Sequence, residues 1–196
     1  MDEIWDILVA LFALVLAVTY VLWEQFAAMD IDVISTFIIL LFAIGIGFIA
    51  HEMAHKWMAI RYGAAARFVL WPQGLLLMFL LALLPFKFIF AATGAVYIFK
   101  PYISKKENGI ISAAGPAMNL ALCVVFLAVL LVAPALKISL IPIISAICRF
   151  GIQINSFLAL FNLIPFAILD GKKVKDWNWQ IWVGLVVISF VFMFFV

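Results

Sequence analysis

The sequence predicts an all-α polytopic membrane protein with five to six transmembrane helices. A re-entrant or short β element is expected between the second and third spanning helices. Three observations carry this reading: the composition, the lengths of the apolar stretches and the shortness of the segments between them. Of 196 residues, 69% are apolar and 11% are charged, and the mean hydropathy is +1.31. A water-soluble domain carries about a quarter charged residues and about half apolar ones. The composition therefore excludes a soluble globule and a disordered chain. It also excludes a nucleic-acid binder, because the net charge is only +2 and no basic surface can be assembled.

A spanning helix needs about 20 predominantly apolar residues. Five stretches meet that length: residues 4–23, 33–60, 111–133, 140–165 and 177–196. The first has acidic rather than basic residues before it, so it reads as a retained helix and not a cleaved leader. A sixth apolar region, residues 74–99, is interrupted by Pro85, Lys87 and Gly94, and its continuous run of residues 75–84 is short for a span. A re-entrant hairpin, two membrane-edge strands or a helix bent at Pro85 are the options. With no room for a further domain, residues 1–196 read as one membrane domain. Its core is about 33–171, and helices 4–23 and 177–196 flank it. Cys123 and Cys148 lie in apolar runs and read as packing residues.

Charge placement suggests orientation. The first 50 residues hold Asp2, Glu3, Asp6, Glu24, Asp30 and Asp32 but no Lys or Arg. Basic residues cluster at Lys56–Arg67, at Lys100–Lys106 and at Lys172–Lys175, which assigns those segments to the cytoplasmic face. Lys137 is then expected in an external loop, against the trend.

Both histidines of the chain stand in His51-Glu52-Met53-Ala54-His55. At helical spacing i and i+4 the two imidazoles share a face and can reach one ion. Glu52 stands where it can orient or deprotonate a water on that ion. This is the HExxH arrangement, in which zinc lowers the pKa of a bound water to about 7. A chance match is the alternative, but each ionisable group beside an apolar run costs about 2–3 kcal/mol unless it has a partner. Three such groups within five residues call for a metal.

A catalytic zinc takes three protein ligands and leaves one position open. No third histidine exists, so a carboxylate must supply the remaining donor. Asp170 is the best candidate, because it follows an apolar run and precedes Gly171. Glu107 and Asp176, each beside lysines, are its rivals and read as solvated loop acids. The plain alternative for Asp170 is a helix-ending Asp-Gly turn.

Together these motifs resemble the site-2 protease family of intramembrane zinc metalloproteases. The matching positions are His51, Glu52 and His55, then Gly115, Pro116 and Asn119, then Asn162, Pro165, Asp170 and Gly171. The resemblance spans about residues 48–171. It implies one zinc ion held by His51, His55 and Asp170, with Glu52 as general base. It also implies that Asn162 and Asn119 bind substrate backbone or stabilise the oxyanion. The PDZ and nucleotide-binding domains of some relatives have no counterpart in the sequence. Pro165 removes a helical hydrogen bond and frees the chain to bring Asp170 inward. Gly115-Pro116 taken alone reads as a helix start, Gly45 and Gly47 as close packing, and the tryptophans as interfacial anchors.

The expected activity is hydrolysis of a peptide bond in or near the transmembrane segment of membrane-protein substrates, in the plane of the lipid bilayer. No nucleic acid is expected as a partner, and homo-oligomer formation is left open. The site constrains topology: residues 74–99 must begin and end on one face, or Asp170 would emerge opposite the histidines. The strand-like residues 93–103 then offer an edge to an unwound substrate. Two rivals are a metal transporter using the His/His/Asp cluster as a transient ion site, and a silent membrane scaffold. A transporter would not need Glu52 and usually shows inverted repeats, and none is visible here.

Overall fold

The computed structural model describes residues 2–136, 141–166 and 168–195. Lys137, expected in an external loop, and Leu140, Ala167 and Val196 lie outside the described residues. The order of elements is α1 (Glu3–Ala27), α2 (Val33–Arg61), β1 (Ala65–Leu70), α3 (Pro72–Ala82), β2 (Gly94–Phe99), α4 (Lys105–Val132), α5 (Ile141–Asn162), α6 (Asp170–Trp177) and α7 (Trp179–Phe195). A single 3-10 turn, Ala133–Leu136, follows α4.

Among the described residues, four helices are long and apolar enough to cross a membrane: Glu3–Ala27, Val33–Arg61, Lys105–Ala135 and Ile144–Asn162. The fifth expected span is a shorter helix of 17 residues, α7. At 1.5 Å per residue it covers about 25 Å, against about 30 Å of hydrocarbon. Trp177 does not begin it; that residue closes α6, an amphipathic helix that carries the basic cluster Lys172–Lys175.

Local chemistry sets several boundaries. Asp32 caps α2 by accepting from the N–H groups of Ile34 and Ser35. Ser104 and Glu107 form a reciprocal capping box, so α4 starts at Lys105, well before Gly115-Pro116. Those two residues therefore sit inside a helix and do not open one.

The region between α2 and α4 leaves and returns at one end of the molecule. Strands β1 and β2 pair antiparallel, with Ala65 opposite Phe99 and Leu70 opposite Gly94. Lys100 Nζ donates to Tyr62 O at 2.9 Å and to Glu107 Oε1 at 2.6 Å, joining the start and finish of the excursion. Its far turn carries Lys87, which pairs with Glu24 near the opposite end of α1 at 2.9 Å. The segment is thus a hairpin that reaches across the molecule and comes back, built from strand, helix and strand.

The N-terminal acids are counter-ions to the basic cluster, which explains why they share its end. Glu3 accepts from Lys56 Nζ at 2.6 Å and from Phe68 N–H at 3.0 Å, and Asp6 lies 3.7 Å from Arg67. The core lies between α1, α2 and the hairpin, around Leu14, Leu40, Ile44, Phe68 and Met78.

Candidate metal centre

Residues 51 and 55 project from the same face of α2, about 15 Å and about 9 Å along the helix from its C-terminal end. Their Nε2 atoms stand 3.0 Å apart. Each ring's other nitrogen is committed to an oxygen of α4. His51 Nδ1 lies 2.5 Å from Asn119 Oδ1, and His55 Nδ1 lies 2.7 Å from the Ile111 carbonyl. A carbonyl oxygen accepts and cannot donate, so both Nδ1 atoms carry the proton. Both Nε2 lone pairs are left free, and they face each other.

Asp170 completes the convergence. Its Oδ2 lies 3.4 Å from His51 Nε2 and 3.0 Å from His55 Nε2. Ligand atoms about 2.0–2.1 Å from a tetrahedral zinc stand about 3.3 Å from one another, so the three donors have the spacing of three tetrahedral corners. Three electron pairs aimed at one point repel unless a cation lies between them. Glycine at 115 keeps that point open: a Cβ there would fall 2.3 Å from His55 Nε2 and 2.6 Å from His51 Nε2. The Asp170 side chain is nearly enclosed, at 13% exposure. Its other oxygen faces Lys173 Nζ at 3.9 Å.

The turn that delivers Asp170 is built around Pro165. Helix α5 ends at Asn162, and the Phe161 carbonyl, deprived of a Pro165 N–H, accepts from Ile164 N–H at 3.2 Å. The Leu163 carbonyl accepts the Trp182 indole N–H at 2.7 Å, so α7 holds the break from outside. Gly171 is required by close approach, because a Cβ there would lie 2.0 Å from Leu163 O.

The donors open onto a cavity of about 360 Å³. Glu52 is buried, lines it, and takes no hydrogen bond from the described residues. Asn162 also lines it, with its amide donating back to Leu158 O at 3.0 Å. Five consecutive β2 residues, Gly94 to Ile98, line the same cavity, and consecutive side chains point to opposite faces, so the strand presents its edge there. The Phe68 N–H leaves the sheet for Glu3, whereas Trp71 N–H bonds Thr93 O at 3.0 Å. That phase makes Gly94, Val96 and Ile98 the residues whose N–H and C=O point away from β1.

Residues 39–136 match the family model described as Peptidase family M50. A protein of Methanocaldococcus jannaschii, named "Putative zinc metalloprotease MJ0611", is 45% identical over 161 residues, covering 81% of each chain. The chain belongs to peptidase family M50. No solved structure matches it. Donor set, family and this relative agree on zinc as the metal.

Within this M50 site the sequence motifs separate by position. His51, His55 and Asp170 meet; Glu52 and Asn162 face the cavity; Gly115 and Gly171 make the close approaches. Asn119 differs from expectation. It is 0% exposed, its Oδ1 meets His51, and its amide donates to Gly47 O at 3.2 Å and Asn155 Oδ1 at 2.9 Å. Its oxygen and both amide hydrogens are engaged inside the protein, and it does not line the cavity. The rivals are also placed: Glu107 serves the capping box, and Asp176 pairs with Lys172 on the surface. Sequence reasoning missed Asn155 and took Trp182 for an interfacial anchor. A buried amide amid apolar residues was the available signal for the first, and nothing local marked the second.

Proposed function

We propose that this chain is an intramembrane zinc metalloendopeptidase that cleaves membrane proteins in or near a transmembrane segment. The reading is carried by the convergence of His51 Nε2, His55 Nε2 and Asp170 Oδ2, 3.0–3.4 Å apart, beside a buried and uncommitted Glu52. Zinc held there supplies Lewis acidity, activating a water at neutral pH and polarising the substrate carbonyl. Glu52 accepts the proton of the attacking water at a carboxylate oxygen and returns it to the leaving amine nitrogen as the peptide C–N bond breaks. Asn162 orients substrate backbone from the cavity wall, and Asn119 orients His51.

The free edge of β2 suits an extended substrate. A helical segment hides its carbonyls in internal hydrogen bonds, so it must unwind before attack, and an open strand edge supplies replacement partners. Gly94, Val96 and Ile98 are the backbone groups that would pair with it. The basic clusters favour a multi-pass plasma-membrane placement with the site toward the cytoplasmic side. The transporter alternative gains no observation of its own.

Glu52→Gln tests the reading. The variant should keep its zinc while cleavage of a single-span membrane peptide in proteoliposomes falls about 10²–10⁴-fold, the usual contribution of a general base. Undiminished cleavage would refute the assignment.

A further inference from the structure

The buried amides behind His51 form a directed chain with only one consistent assignment. Asn155 Nδ2 donates to the Gly151 carbonyl at 2.8 Å, which turns Asn155 Oδ1 toward α4. That oxygen accepts one hydrogen of Asn119 Nδ2 at 2.9 Å, and the Gly47 carbonyl accepts the other at 3.2 Å. Asn119 Oδ1 is thereby turned to His51 Nδ1. Asn119 and Asn155 are both 0% exposed, so water cannot substitute for any of these partners.

We infer that Asn155, through Asn119, fixes the His51 tautomer and is a positioning residue for the metal site. The inference rests on the zinc reading above. An Asn119 amide rotated by half a turn would present N–H groups to Nδ1, forcing the His51 proton onto Nε2 and capping the lone pair that faces the ion. Asn155 supplies the shorter of the two contacts that oppose this rotation.

The helix packing has been shaped around that contact. A Cβ at residue 47 would lie 2.6 Å from Asn155 Oδ1, so α2 carries glycine where the amide reaches across. Three helices, α2, α4 and α5, meet in this network, yet only α2 supplies a residue to the ion. The outer partner of a metal-bound histidine commonly changes metal affinity 10–100-fold. His55 has no such dependence, because its Nδ1 partner is the backbone carbonyl of Ile111.

This asymmetry supplies an internal control, since His51 and His55 are the only histidines. The test uses the full chain, ¹⁵N-labelled at histidine and metal-free in lipid, at about pH 8, above the ordinary imidazole range. Wild type should give two Nδ1–H imidazoles in its ¹⁵N spectrum. Asn155→Leu, close in size and apolar, should move one ring toward the Nε2–H form and leave the other unchanged. Its zinc affinity, measured by chelator competition with the metal alone, should fall about tenfold or more. Gly47→Ala, which displaces the same oxygen, provides a second route if Asn155→Leu does not fold. Ile152→Ala, a packing defect on the same helix outside the network, should leave both tautomers in place. Unchanged tautomers with undiminished zinc affinity in Asn155→Leu and Gly47→Ala would overturn the inference alone. A tautomer change in Ile152→Ala equal to theirs would also overturn it. A wild type without zinc affinity would overturn the metal reading itself.

Discussion

Three lone-pair atoms converging in a buried site favour a cation among them, and the residues around them leave it room. Gly115 does so most directly. Its replacement by alanine would set a methyl group 2.3–2.6 Å from both Nε2 atoms. Gly115→Ala should therefore lower zinc affinity about tenfold or more, read by chelator competition, with little change in helical content by circular dichroism. At this scale the sequence was most legible where the chemistry is local. His51, Glu52 and His55 lie within one helical turn and a quarter, so spacing alone places them. Asp170 is 115 positions from His55 and could only be ranked above Glu107 and Asp176 by its apolar context. Asn155 could be noticed only as an amide amid apolar residues and Trp182 not at all, because their partners, Asn119 and the Leu163 carbonyl, lie 36 and 19 positions away.

Among the elements, the excursion between α2 and α4 departs most from a plain helical bundle. Strand β2 falls within residues 93–103, which the sequence marks as strand-like, whereas β1 is apolar almost throughout, shows no alternation of polar and apolar residues, and becomes visible only through its pairing with β2. Pro85 and Lys87 did mark a turn, which the Glu24 ion pair now places near the far end of α1. The long spans were legible from length and hydropathy. The division of the last apolar stretch into α6 and α7 was not, because Asp170–Trp177 carries lysines that read equally well as loop. The β2 edge gives a specific expectation. The Val96 N–H points away from β1, so Val96→Pro removes an outward donor and spares the ladder. Cleavage of a membrane peptide should drop about five- to tenfold, the worth of one backbone hydrogen bond, while zinc content stays constant. Equal cleavage by Val96→Pro and wild type would remove the edge from substrate binding.

Across the whole molecule, the ion pairs order the two ends. Glu3, Asp6, Lys56, Arg67, Lys100 and Glu107 gather at one end, and Glu24 and Lys87 pair near the other. Single cysteines report this well, because Cys123 and Cys148 are buried and should give little background. Tyr102→Cys should react with an impermeant maleimide only from the cytoplasmic side, and Met29→Cys only from outside. Labelling of both from one side would contradict the proposed orientation. In the proposed enzyme, α2 and the start of α6, brought together by the break at Pro165, hold one metal ion between them. Metal analysis of the purified chain and of Asp170→Ala tests this most directly. Wild type should carry about one zinc per chain, and Asp170→Ala should lose most of it. Zinc retained in full by that variant would contradict this arrangement.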